Sequence, residues 1–378
     1  MSFKRYSIAR IAGDGIGPEV IKEASKILEA AGSKSNFAIE WVDYPFGADY
    51  YLRTGETLPS SAIEEMASCH ALFLGAVGDP RVKPGILERG ILLTLRFHFD
   101  QYVNLRPAKS YPKVPLPIEI KGGKTLDTLV VRENTEDFYI GIGGKTEAGH
   151  IDLDLAAKRK LYSIHGKLTG DFKGKIEGAF QLGIASEPGI RRVTAYACEA
   201  AISRGEDAIT LVSKSNALPQ IYGFWEDVAK DEAKQHGIGV SVINVDAMCY
   251  HLVRRPDLYN VILAPNMFGD IVSDLLAGLT GGLGVAAGAD IGDSLSMFEP
   301  IHGSAPDIAG TGKANPIAAI LSGALLLDHL GEKGAAASIE KAVCDFLKDA
   351  EIKRMPIEFG GEGTVSSVGE DILAQLSS

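Results

Sequence analysis

Three consecutive pieces of the chain decide the fold: IRRVTAYACEAAISRGEDAITLVSK (190–214), GVSVINVDAMCYHLVRR (239–255) and NVILAPNMFGDIVSDL (260–275). The first reads as an amphipathic helix, Ile190–Gly205, followed by a strand, Asp207–Lys214. A helix over about 222–234 leads into a second strand, GVSVINV, then the helix DAMCYHLVRR. The strand NVILAPN follows, and then a helix that carries Asp270 and Asp274. Strand and helix in regular alternation are the signature of an α/β sheet. Lys214, Asp246 and Asn266 fall where these strands end, and open α/β sheets bind ligands at the carboxyl ends of their strands.

Working outward towards the N-terminus, YSIARIAG (6–13) reads as a buried strand and PEVIKEASKILEAAG (18–32) as the helix after it. Val20, Ile21, Ala24, Ile27, Leu28 and Ala31 share one face, Pro18 suits the first turn and Gly32 the stop. The loop between them, Gly13-Asp-Gly-Ile-Gly17-Pro18, is a poor dinucleotide fingerprint. Pro18 stands where the third glycine of GxGxxG is needed, and no acidic residue closes a second strand about 20 residues on. It reads as a tight turn beside a cleft. HALFLGAVG (70–78) is a further strand, ILERGILLTLRFHFDQYVNLRPAK (86–109) carries Arg96 and Arg106, and LDTLVVRE (126–133) ends at Arg132. From 141 to 189 the periodicity weakens, and this region reads as an arm or insertion. Beyond Pro316 the chain reads as mostly helical, with a closing GGEGTVSSVGEDIL.

At 378 residues the chain is too long for one ordinary core, so two domains are expected. No repeat or low-complexity tether separates them, so the boundary reads as a strand-to-strand crossover. With 38 Lys and Arg against 49 Asp and Glu the net charge is −11, which argues against nucleic acid or an anionic membrane as the main partner. Cys69, Cys198, Cys249 and Cys344 are widely spaced and suggest neither a zinc site nor a disulfide framework. The most apolar run, AAILSGALLLDHL (318–330), is too short to cross a bilayer. The opening MSFKRYSIARIAGDG has no apolar signal-peptide core. A cytoplasmic protein is expected.

The candidate chemistry begins with Asp270 and Asp274, four residues apart and hence on one helical face. With Asp246 they offer the oxygen ligands that Mg²⁺ or Mn²⁺ prefers. Asp246 alone reads as a helix cap, and the pair reads as well as two solvent-facing acids. Arg96, Arg106 and Arg132 each end an apolar stretch. Three guanidinium forks suit a substrate with two carboxylates, although any one of them alone reads as a surface ion pair. Tyr139 and Lys214 are residue types that can move protons, a tyrosine as acid and a lysine near cations as base.

Taken together, GDGIGPEV, FDQYVNLRPAK, VVRENTEDFY, VSKSN, VDAMCYHLV, NMFGDIVSDL, FEPIHGSAPDIAGTGKANP and GGEGT resemble the β-decarboxylating dehydrogenases, nearly end to end. That family includes the 3-isopropylmalate, isocitrate, homoisocitrate, tartrate and D-malate enzymes. The resemblance implies two α/β domains with a cleft between them and non-Rossmann cofactor binding. The first would be a cofactor-binding domain of residues 1–101 with 281–378, and the second residues 102–280, with 141–189 as an arm in a homodimer. It implies that Arg96, Arg106 and Arg132 hold the malate carboxylates and that Asp246, Asp270 and Asp274 bind Mg²⁺ or Mn²⁺. Asp246 and Lys214 would reach in from the partner subunit, Lys214 would help remove the hydroxyl proton, and Tyr139 would protonate the enol left after CO₂ departs. The cofactor would lie on Glu299, His302, Gly303, Ser304, Ala305, Asp307 and Asn315.

Asp307-Ile308 stands where NADP-dependent isocitrate enzymes have a Lys-Tyr pair, so NAD is the expected cofactor. Leu92 and Leu93 match the leucines that face the isopropyl group in isopropylmalate enzymes, and a carboxylate buried against leucines would be costly. The expected substrate is therefore a 3-substituted malate, 3-isopropylmalate above the others. Yet AVGDP, FDQYVNLRP and RENTEDFY look more like the tartrate and D-malate enzymes, which remain the alternative, with isocitrate and homoisocitrate behind them. A silent regulatory subunit would be expected to lack some of Tyr139, Lys214 and the three aspartates, and all are present.

Overall fold

The structure, a computed structural model, describes residues 3–146 and 149–377. It divides into two compact units. One takes the chain as far as Thr128, together with Arg255–Asp257 and Ser273 onward. The other takes Leu129–Arg254 and Leu258–Val272. This division counts 102–128 and 273–280 with the first unit, beyond the expected 101 and 281 limits. The cause is visible in the pairing of strand Val103–Lys109 with Ala287–Ile291.

In the first unit the strands lie in the order Val103–Lys109, Ala287–Ile291, Met297–Pro300, Ala71–Ala76, Lys4–Gly13, Phe37–Asp43. The last four of these run parallel, and Ala287–Ile291 is antiparallel to both of its neighbours. All six residues of Ala71–Ala76 are buried, as expected of a strand covered on both faces. Helices Gly17–Lys34, Ile317–His329, Lys333–Asp349 and Val365–Ser377 pack on one another. Ile317–His329 also lies on the two strands that precede it. Its near-uniform apolar sequence, IAAILSGALLLDH, follows from burial almost all round. Ala9, Ile11, Leu72 and Leu74 alternate towards a second cluster with Phe46, Met66, Leu87, Ile91 and Leu95.

The second unit holds four parallel strands in the order Gly239–Asn244, Ala208–Ser213, Val261–Ala264, Asp127–Glu133. Helices Glu187–Ser203 and Phe224–Gln235 pack on them. The region expected to be an arm is a long antiparallel hairpin, His150–Lys158 against Ser163–Asp171, beside a short pair, Gly143–Lys145 against Ala179–Gln181. Helix Asn266–Leu279 begins in the second unit and ends in the first. Among the described residues no helix is long and apolar enough to cross a membrane.

The expected tight turn after the first strand is present. Gly15 has φ +57°, and a Cβ there would sit 1.9 Å from the Ser304 carbonyl oxygen, which accepts the Ile16 N–H at 2.9 Å. Asp14 braces the turn: its Oδ1 accepts the Ala48 N–H at 2.7 Å and its Oδ2 the Gly78 N–H at 2.9 Å. Burial raises the Asp14 carboxyl above the usual range, and the two N–H donors oppose that. Gly15→Ala meets both a backbone strain and a clash, so it should lose about 3 kcal/mol or more in denaturant unfolding. A loss under 1 kcal/mol would show that this loop contact is dispensable.

Candidate functional site

The carboxyl ends of the second unit's strands carry two pairs of polar groups. Arg132, near the end of Asp127–Glu133, is 2% exposed. Its Nε donates to the Asn266 carbonyl at 2.9 Å, its Nη2 to Asn266 Oδ1 at 2.8 Å, and its Nη1 to Asp270 Oδ1 at 2.6 Å. The Tyr139 hydroxyl donates to the other oxygen, Asp270 Oδ2, at 2.8 Å. The Arg132 guanidinium also lies over the Tyr139 ring, 5.4 Å from its centroid. Gly269 makes this possible, because a Cβ there would come within 2.5 Å of Arg132 Cγ.

The second pair is Lys214, just past Ala208–Ser213, and Asp246, in the first turn of helix Val245–Arg254. Lys214 Nζ donates to Asp246 Oδ1 at 2.6 Å. That bond pulls the exposed Asp246 carboxyl below its ordinary value, with the N–H groups of the helix start adding to it. Among the described residues of one chain, no group of three or more His, Cys, Asp or Glu is placed to hold a metal ion.

The first unit builds a cavity of about 270 Å³ lined by Leu92, Arg96, Asn104, Arg106, Glu299 and His302, among others. Arg96 is buried and pairs through Nη2 with Glu299 Oε1 at 2.8 Å and through Nε with Asp290 Oδ1 at 3.1 Å. Asn104 Nδ2 donates to Asp290 Oδ1 at 2.6 Å, and Arg106 Nε donates to Asn104 Oδ1 at 2.6 Å. Arg106 Nη1 reaches Ser273 Oγ at 2.9 Å and Asp274 Oδ1 at 3.0 Å. The fully buried Asp290 thus orients two arginines at once. Burial, reinforced by the neighbouring Asp290 charge, pushes the Glu299 carboxyl up to about 8 against the pull of Arg96.

Leu92 reaches the cavity from a π-helical turn, Glu88–Leu93, that precedes the short helix Thr94–His98. Leu93 is half-buried and is not among the residues lining that cavity.

A neighbouring cavity of about 570 Å³ lies between the 77–88 segment and Gly303, Ser304 and Pro306. Ala305, between Ser304 and Pro306, takes a left-handed φ of +38°. Asp307 is exposed, while Asn315 is buried, donating to Glu358 Oε2 at 3.0 Å and accepting the Ile317 N–H at 3.1 Å. The His302 Nδ1 contacts the Gly303 carbonyl at 3.0 Å. Its buried Nε2 has no hydrogen-bond partner among the described residues, and burial pulls the imidazole below its ordinary value.

Sequence reasoning missed the polar groups behind Tyr139. Glu133, Glu136 and Asp137 are all buried. Glu133 accepts the Thr135 and Glu136 N–H groups, and burial pushes its carboxyl up to about 7. Glu136 accepts the Ser186 N–H at 2.8 Å. Three acids in five residues at a strand end were the available signal. Asp290 was missed too, because it sits in a run of alanine and glycine that shows no strand periodicity.

The model of the isocitrate/isopropylmalate dehydrogenase family matches residues 7–372. A 3-isopropylmalate dehydrogenase from Thermobifida fusca is 39% identical over all of this chain and 99% of its own length. One from Mycolicibacterium vanbaalenii is 40% identical over 98% of this chain and 99% of its own. The crystal structure of isocitrate dehydrogenase from Methylococcus capsulatus matches with a TM-score of 0.82 at 30% identity, covering 99% of this chain and 100% of that one. Fold and relatives together define an oxidoreductase, a decarboxylating hydroxy-acid dehydrogenase. The chain belongs to the isocitrate/isopropylmalate dehydrogenase family.

Removing the carboxylate that holds Arg96 and Asn104 leaves a buried guanidinium short of its partner. Asp290→Ala should therefore lower unfolding free energy by about 3 kcal/mol or more. Asp290→Asn, which keeps an acceptor for Asn104, should lose less. Equal stability of all three proteins in a urea titration would show that the network carries no such load.

Proposed function

We propose that this protein oxidatively decarboxylates a 3-substituted malate, 3-isopropylmalate before the alternatives, with NAD and Mg²⁺ or Mn²⁺. It would act in the cytoplasm and serve leucine biosynthesis. The observation that carries the substrate choice is Leu92, an apolar side chain in the same cavity as Arg96 and Arg106. An alkyl substituent suits it, whereas a third carboxylate there would lose hydration without a partner. The names of the whole-length relatives point the same way.

Arg96, Arg106 and Arg132 would hold the two malate carboxylates, each by the fork geometry that guanidinium offers. Asp246, Asp270 and Asp274 fit a hard divalent cation by donor type, being carboxylates only. The bound cation would polarise the substrate oxygen, and bound NAD would accept the hydride. Lys214 would take the hydroxyl proton, and its contact with Asp246 keeps its amine aimed. Tyr139 would deliver a proton to the enol carbon after CO₂ leaves, and its hydroxyl is already ordered by Asp270.

The cofactor reading is supported by the partnerless Nε2 of His302 and by the cavity at Gly303, Ser304 and Pro306, with Glu299, Ala305, Asp307 and Asn315 completing the set. An exposed carboxylate at 307 would receive a ribose diol and repel a 2′-phosphate. One chain brings together no three metal-ligand residues among those described. The assembly that the family resemblance implies is a homodimer in which the partner's copies of Lys214 and Asp246 complete each site, with 141–189 as the pairing arm.

The test is kcat/KM of the purified enzyme with Mn²⁺ over 3-isopropylmalate, D-malate, tartrate, isocitrate and homoisocitrate. 3-Isopropylmalate should lead by about tenfold or more, since an extra apolar group in a fitting pocket contributes about 1–3 kcal/mol. NAD should be preferred to NADP. Higher kcat/KM on D-malate or isocitrate would overturn the substrate choice, and NADP preference would overturn the role of Asp307.

A further inference from the structure

Asp137 lies two residues before Tyr139, and its backbone has φ +61° and ψ −148°, a region populated almost only by glycine. A residue with a Cβ persists there only when its surroundings hold it. The side chain is 1% exposed. Its Oδ2 accepts the Met267 N–H at 2.9 Å, and its Oδ1 accepts the Tyr222 hydroxyl at 3.2 Å. Its own N–H donates to the Ile184 carbonyl at 2.7 Å. Met267 is in the first turn of helix Asn266–Leu279, where N–H groups lack partners within the helix and a negative charge is favoured. Asp270 is three residues further along that same helix, and Tyr222 packs on Phe268 with centroids 4.6 Å apart. One carboxylate therefore ties the turn that presents Tyr139 to the helix end that presents Asp270, and the Tyr139 hydroxyl spans the remaining gap to Asp270 at 2.8 Å.

We infer that Asp137 is a positioning residue for the Tyr139 hydroxyl. Its carboxylate clamps the Tyr139 turn to the Asp270 helix, and the strained backbone is the consequence of making that bond. Asn266 adds a weaker strut, its Nδ2 donating to the Glu136 carbonyl at 3.3 Å, whereas Asp137 brings a negative charge to the N–H groups of the helix start. This inference rests on the reading of Tyr139 as the proton donor.

The test is a double-mutant cycle on the purified enzyme with NAD and Mn²⁺. Asp137→Gly relieves the backbone and removes the clamp together. It should lower kcat by about tenfold or more, because small misplacements of a reacting group are costly in rate. KM for the hydroxy acid should stay within about threefold. On a Tyr139→Phe background the same substitution should cost nothing further, since the group it positions is gone. Asp137→Asn, which keeps an acceptor, should fall between, and it serves if the glycine variant does not fold. Tyr222→Phe leaves the Met267 bond intact and should keep kcat within about threefold. Wild-type kcat in both Asp137 variants, or losses that add on the Tyr139→Phe background, would overturn the inference. If Tyr139→Phe itself retained full kcat, the proton-donor reading would fall, and a loss confined to the Asp137 variants would then place their effect elsewhere.

Discussion

The second unit depends on a guanidinium held out of water. Arg132 cannot lose its charge, so burial at 2% exposure requires that its donors be met. Asn266 and Asp270 meet them from one helix, and Gly269 between them is the residue that lets the helix approach. Asp270 then has one oxygen turned to Arg132 and the other to Tyr139. A single carboxylate thus fixes a guanidinium and a phenol hydroxyl, and Asp137 accepts the Met267 N–H in the first turn of the same helix.

The first unit uses the same device with a different residue. Asp290, wholly buried, holds Arg96 directly and Arg106 through Asn104. Basic groups for an acidic substrate have to be built locally in a protein of net charge −11. Under the proposed function, the buried Asp290 would serve that end by fixing the direction of Arg96 and, through Asn104, of Arg106. The raised Glu299 carboxyl follows from the same crowding, since two acids and one arginine share a largely buried space.

Much of this was legible beforehand. The strands ending at Ser213, Asn244 and Ala264 follow from β-branched runs bounded by helical stretches; Arg132 stands near a strand end, and Asp246 and Asp270 stand near the starts of the helices that follow their strands. What escaped has a physical reason in each case. Ala287–Ile291, AGADI, is a fully buried strand with a single large apolar side chain, which erases the pattern of alternating large apolar residues. The hairpin at 150–171 does alternate, IDLDL against charged neighbours, but its glycines and lysines hid the period. Leu92 and Leu93 match the family's leucines alike, whereas a π-helical turn there brings Leu92 to the cavity lining without Leu93. Asp137 could not be found from its residue type, because its importance lies in a backbone angle and a helix end far along the chain.

The central claim is that Tyr139 and Asp270 of one chain work with Lys214 and Asp246 of another. Neither contact pair depends on the other within one chain, so the claim can be tested by separating them. Chains with Tyr139→Phe and chains with Lys214→Ala, each strongly impaired alone, would be unfolded, mixed in equal amounts and refolded. If sites are shared across a two-fold pair, half the dimers are mixed and each of those carries one intact site, so the mixture should recover roughly a quarter of wild-type kcat. Recovery no greater than the sum of the two impaired proteins, with mixed dimers demonstrated by mass, would contradict shared sites.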